Sequence, residues 1–310
     1  MRVTNNMLTS NFLRNVNQNL NNLDKYQMQL ARNKRITKLS DDPIGVIKSM
    51  SVNSKLSKID QYKSNLNTAQ AWLKQTETAL KSMNNLITTA YEQSIEAANA
   101  YITDDEKLAI AENIKQLRNE VLTLGNTKNG DKYIFGGYNT EKAPFSLDAA
   151  GNILYNGLDL SDPTLFGTES GQNLQIEIGY GLRTNASING TELMGMGPNN
   201  IYAVLDGMYD TLMSGGSTAD IAAYTPKLQN AQYDVLALEA EVGGRSNRLD
   251  LVESRNEDDI LNYTEVKSNI EDIDEAEVIM QLKMAESVYN AAMSVGADII
   301  QPTLMDFLNR

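Results

Sequence analysis

Apolar residues recur at helical spacing over two long stretches of this chain, and between them the spacing changes. Near the start, Leu13, Val16, Leu20, Leu23 and Leu30 fall on alternating three- and four-residue steps, which places them on one helix face. Ser40-Asp41-Asp42-Pro43 interrupts that pattern. Either aspartate can cap a new helix, and Pro43 suits its first position because the amide hydrogen it lacks would have no intrahelical partner. The steps then run through Ile59, Tyr62, Leu66, Ala69, Leu73, Thr76, Leu80, Met83, Ile87, Ala90, Ser94 and Ala97. This spacing predicts one helix over 44–100, roughly 85 Å long at about 1.5 Å per residue. Thr103-Asp104-Asp105-Glu106 has the form of a capping box, so a turn is expected there. A returning helix follows, striped by Ile110, Ile114, Leu117, Val121 and Leu124 and ending near Gly125-Asn126.

Breakers mark the middle. Sixteen of the 20 glycines lie between Gly125 and Gly216, whereas residues 46–124 hold neither Gly nor Pro. Tyr133 to Tyr138 reads as a short strand entering a turn, Leu174 to Ile178 alternates at period two, and Ala186 to Gly190 reads as strand into turn. Beyond Asn200, Ile201, Val204, Leu205, Met208 and Leu212 predict a short helix ending at Gly215-Gly216. A long pattern then runs from Val235 through Leu249, Val266, Ile270 and Ile273 to Met284, with Gly243-Gly244 as a packing contact or a kink. The expected fold is mainly α, with long antiparallel coiled-coil arms from both chain ends and a small inserted β-rich domain. Three parts are expected: 1–40 with 270–310 as a terminal assembly domain, 41–130 with 200–269 as a helical bundle, and 131–199 as the β-rich part.

Charge suggests how the arms relate. Residues 1–40 carry Arg2, Arg14, Lys25, Arg32, Lys34, Arg35 and Lys38 against Asp24 alone, while 253–286 are strongly acidic. Opposite charge favours antiparallel pairing of the ends, but exposed pairs contribute only about 0.2–1 kcal/mol each, so the apolar seams must supply the stability. The whole chain is at −13, which disfavours nucleic acid as a partner. It has no Cys and no His, which removes thiol chemistry, disulfides and the commonest general base and zinc ligand. No apolar run is long enough to span a membrane, and the opening residues contain no apolar core of a secretory leader.

Little else suggests chemistry. Glu257-Asp258-Asp259 and Glu271-Asp272-Ile273-Asp274-Glu275 lack the alternation and central glycine of a calcium loop and read as solvated or pairing helix faces. The basic cluster Arg32, Lys34, Arg35 and Lys38 reads as a helix end that meets the acidic arm. No glycine run has the form of a phosphate loop, and no carboxylate pair is singled out for sugar hydrolysis. No cofactor is expected. What the chain has in quantity is seam, and apolar faces at its extreme ends, including Ile299, Leu304, Phe307 and Leu308, point to ordering by other subunits.

These features resemble the flagellin superfamily and, within it, the hook–filament junction (hook-associated protein 3) family. The resemblance rests on Met1 to Met7, Phe12 to Asn15, the motif Ser40-Asp41-Asp42-Pro43-Ile44-Gly45, Tyr133 to Gly137 with Pro144-Phe145, Val242 to Leu249, Ile270 to Asp274 and the closing Leu304 to Leu308. Filament flagellin is the alternative. Asp-Asp-Pro-Ile-Gly in place of Asp-Asp-Ala-Ala-Gly, and the ending Phe307-Leu308-Asn309-Arg310, favour the junction family. The resemblance implies a structural role rather than an enzymatic one, and an extracellular position in the flagellum. It implies export through the flagellar type III channel without a cleaved signal. The partners it implies are copies of itself, the other hook-associated protein, flagellin and a cytoplasmic export chaperone.

Overall fold

The computed structural model describes the backbone of residues 5–166 and 174–308 and the side chains of 7–166 and 174–296. The described helices are α1 (Asn5–Arg32), α2 (Pro43–Ala97), α3 (Asp104–Gly125), α4 (Gly190–Met194), α5 (Ile201–Met213), α6 (Thr218–Ala222), α7 (Thr225–Glu271) and α8 (Glu275–Leu308). Between α3 and α4 lie short strands: β1 (Lys128–Asn129), β2 (Lys132–Tyr133), β3 (Phe145–Leu147), β4 (Ile153–Tyr155), β5 (Leu158–Asp159), β6 (Gln175–Gly179) and β7 (Leu182–Asn185). The chain divides into two compact units, residues 1–58 with 258–310 and residues 59–257.

The second unit, 59–257, owns a continuous core. Leu66, Leu73, Leu80 and Ile87 follow one another at seven-residue intervals on α2 and are fully buried; Leu228, Val235, Val242 and Leu249 do the same on α7. Seven residues is two helical turns, so each set forms a single stripe. Polar pairs give the direction: Lys63 reaches Glu257 at 3.3 Å, Gln70 reaches Glu253 at 2.9 Å, and Gln232 reaches Thr88 at 2.9 Å. The two helices are therefore antiparallel. The expected capping box closes the turn before α3, with Thr103 Oγ1 accepting the Glu106 amide at 3.3 Å and Glu106 Oε2 accepting the Thr103 amide at 2.8 Å. From there α3 packs on α5, and Arg118 pairs with Asp206 beneath the rings of Tyr202 and Tyr209.

The strands form two hairpins, β1–β2 and β6–β7, and a three-stranded antiparallel sheet in the order β3-β4-β5. Asn126, just past α3, donates to and accepts from the Phe145 backbone at 3.0 Å each, so the helix end fixes where β3 starts. Gly125 and Gly190 leave room for the Phe145 ring, and a Cβ on Gly190 would also collide with Tyr155. Two sequence expectations need correction. Ala186 to Ile188 is a buried connection rather than a strand, and Asn189 then takes the N-cap position of α4, its backbone amide donating to Glu192 Oε2 at 3.4 Å. The pattern expected to run unbroken to Met284 stops at Glu271 and restarts at Glu275. Gly243 and Gly244 sit inside α7, and among the described residues nothing beyond the helix's own nearby backbone lies within 4 Å of an added Cβ at either.

Candidate assembly surface

In the first unit, 1–58 with 258–310, α1 packs against α8. Their direction is fixed at both ends of the contact. The Phe12 ring lies against Gly296, where any Cβ would collide with it, and Lys34 forms an antiparallel bridge with Asp272. At residue 296 only hydrogen leaves room for the ring.

Within this unit the described buried apolar side chains are Val16, Val52 and Val278; the large contiguous core belongs entirely to the other unit. Exposed beside them are Met7, Leu8, Leu13 and Leu20 on α1, and Met280, Met284, Val288 and Val295 on α8. A further apolar group lies at the start of α2, where Ile44, Ile47 and Met50 stand at three-residue steps next to Leu39, each about two-thirds exposed (Ile44 68%). Isolated exposed apolar residues are ordinary, but whole helix faces of them mark surfaces meant to be covered.

Of the seam residues read from the sequence, Val16 is buried, Leu23 and Leu30 are half-buried, and Leu13 and Leu20 remain 53% and 43% exposed. Ile299, Leu304, Phe307 and Leu308 lie on the α8 backbone, and their side chains fall outside the described residues. The structure thus brings the amino-terminal seam against α8 and covers it only in part.

The serine–aspartate motif builds the entry to α2. Asp41 accepts the amides of Thr37 at 3.2 Å and Lys38 at 2.9 Å, which closes the turn after α1. The Lys38 hydrogen bond first, then those from the Thr37 hydroxyl and amide, hold its carboxyl below the usual carboxylate range against the opposing effect of burial. Asp42 is the cap, its Oδ1 accepting the Gly45 amide at 2.9 Å. Gly45 is small of necessity, because a Cβ there would meet both the Asp42 carboxylate and the Ile36 side chain. Ser40 is exposed in the turn.

Sequence reasoning passed over one residue of this unit. Glu271, read from the sequence only as part of a solvated or pairing helix face, is buried and paired with Lys34 at 2.6 Å. The basic cluster does meet the acidic arm there. Among the described residues no group of three or more acidic side chains could hold a metal ion, and no helix is long and apolar enough to cross a membrane.

Residues 3–140 match the family model of the bacterial flagellin N-terminal helical region. Flagellar hook-associated protein 3 of Escherichia coli (strain K12) is 26% identical over 308 residues, covering 96% of this chain and 97% of that protein. Flagellin of Clostridium tyrobutyricum is 26% identical over 127 residues, 41% of this chain and 34% of that protein. Among solved structures, a putative flagellar hook-associated protein from Vibrio parahaemolyticus superposes with a TM-score of 0.65 at 22% identity, over 75% of this chain and 100% of that one. That last likeness establishes the fold.

Proposed function

We infer that this chain is a structural subunit of the bacterial flagellum, of the hook-associated protein 3 type, and that it forms the junction between hook and filament. One observation carries the assembly reading: in a unit built from both chain ends, the buried apolar side chains among the described residues are three valines, and exposed apolar residues line its helices. Burial of apolar area supplies the main favourable free energy of association, so those faces are where neighbouring subunits add. The residues we assign to that surface are Leu13, Val16, Leu20, Leu23 and Leu30, together with Ile299, Leu304, Phe307 and Leu308. Similarity to hook-associated protein 3 of Escherichia coli spans 96% of the chain at 26% identity, against 41% of the chain at 26% for flagellin of Clostridium tyrobutyricum and 83% at 21% for a filament core protein of Treponema maltophilum; reach and identity together favour the junction over the filament as its place.

The role is mechanical, not enzymatic. Neighbouring copies meet through residues 1–40 and 270–310, the other hook-associated protein lies on one side and flagellin on the other. The 131–199 region is the outer, strand-bearing part. Before assembly a cytoplasmic chaperone holds the carboxy-terminal helix, and export proceeds through the flagellar type III channel without a cleaved signal. Electron microscopy of a strain lacking this protein tests the junction role: a hook that bears no filament is the expected result, and an intact flagellum rejects it.

A further inference from the structure

The connections on either side of the terminal helix pair lie side by side. Residues 33–42 lead from α1 to α2, and Asp272 to Asp274 separate α7 from α8; the Lys34–Asp272 bridge joins the two. The Arg35 amide donates to the Glu271 carbonyl at 2.6 Å, and its guanidinium donates to the Ile270 carbonyl at 3.0 Å. The Glu271 side chain, 10% exposed, then ties this linker to α2. It accepts from the Lys34 ammonium at 2.6 Å, from the Ser49 hydroxyl, and from the Asn53 amide at 3.5 Å. A buried carboxylate without donors is expensive, so this one is tolerable only while all three segments stay in place. Asn33, at φ 52°, turns the chain out of α1 just before the clasp.

We propose that Glu271 is a latch fixing the α1–α8 pair to the adjoining ends of α2 and α7. Neutralising it frees the pair to move about residues 33–42 and 272–274 while residues 59–257 stay folded. The device belongs to the isolated chain and does not depend on the junction role.

The charged groups around the carboxylate are Lys34 and Arg35 from the linker, Lys267 one turn earlier on α7, Asp42 against Arg35 at 3.4 Å, and Asp272, which is bound to Ser268 at 2.5 Å. Burial pushes the Glu271 carboxyl up, but the hydrogen bonds from Lys34 and Ser49 and the charges of Lys34 and Lys267 together hold it below its ordinary value. A depressed carboxylate stabilises the folded arrangement above its unfolded value, and that contribution is lost as pH falls through the folded one. The latch is closed at neutral pH and opens in acid.

Hydrogen exchange on the full chain tests this. In Glu271→Gln at neutral pH, the amides of Lys34, Arg35 and 275–283 should exchange at least tenfold faster than in the wild type, with those around Leu80 and Ile114 unchanged. Ser49→Ala, which removes a single donor, should fall between the two. In the wild type, corrected for intrinsic exchange, Arg35 should lose protection on acidification and approach the Glu271→Gln rate, while Glu271→Gln shows no further acid response. Asp41 titrates in the same direction; the response should persist in Asp41→Asn. Equal protection of Arg35 in wild type and Glu271→Gln overturns the proposal. So does an unchanged acid response in Glu271→Gln, its disappearance in Asp41→Asn, or loss of protection throughout 59–257 in Glu271→Gln.

Discussion

Replacing Leu13 and Leu20 together by Ser separates folding from assembly. The two side chains are 53% and 43% exposed, so together they leave about one leucine's worth of surface uncovered in the isolated chain. Burying one leucine contributes about 1.5–3 kcal/mol, and we take about 2 kcal/mol as the part left for assembly. At about 1.4 kcal/mol per tenfold, that raises the protein concentration needed for self-association by roughly 30-fold. Neither residue belongs to the core of 59–257, so unfolding of that unit should keep its midpoint. Static light scattering against concentration reads the first quantity and far-UV circular dichroism on heating reads the second. Leu158→Ser, equally exposed but in β5, serves as the control and should leave self-association unchanged. The reasoning fails if the double variant associates like the wild type, or if Leu158→Ser weakens association as much.

Three further variants test local readings. Thr103→Ala removes half of the capping box before α3 and should cost about 1 kcal/mol in urea unfolding; the Glu106 half should fade as pH falls through a carboxyl already held low by the Thr103 backbone and hydroxyl hydrogen bonds. Gly190→Ala drives a methyl into the Tyr155 and Phe145 rings and should cost about 1–3 kcal/mol by the same measurement. Gly243→Ala with Gly244→Ala should instead raise stability by up to about 1 kcal/mol per site, because the added methyl groups meet no other part of the described chain and the helix gains propensity.

The α2 seam was legible because spacing, burial and the absence of breakers agree there: of the twelve positions named from Ile59 to Ala97, all but Tyr62 are buried. The capping box at Thr103 was legible because it is local. The break at 272–274 was not, since Ile270 and Ile273 keep the helical step and no Gly or Pro marks the stop. Its signal was Asp274, hidden in an acidic run, whose carboxylate accepts the Ala276 and Glu277 amides at the head of α8. The sheet β3-β4-β5 escaped because its strands are two or three residues long and its placement depends on Asn126, nineteen residues away. The burial of Glu271 was hidden for a related reason. A polar residue on a seam looks like one on a solvated face until its partners are known. Asn256 has the same disguise: seven residues after Leu249, it is buried and donates to the Ile178 carbonyl.

The opposite charge of the two chain ends now has a narrower meaning. Among the described residues a single ion pair, Lys34–Glu271, joins the basic start to the acidic segment. Within the chain, then, charge does little more than pin the register at the hinge, and exposed pairs would add little even if they formed. The apolar faces do not close on themselves either, for α1 against α8 buries Val16 and Val278 and leaves Leu13, Leu20, Met280 and Met284 in water. A helix pair this poor in core gains most from being covered, because each neighbour that docks supplies the burial that the pair cannot supply itself. The two units therefore follow different rules. Residues 59–257 carry a finished core whose side chains answer to one another, while the terminal pair supplies a register and two apolar faces that the described residues of the chain leave exposed.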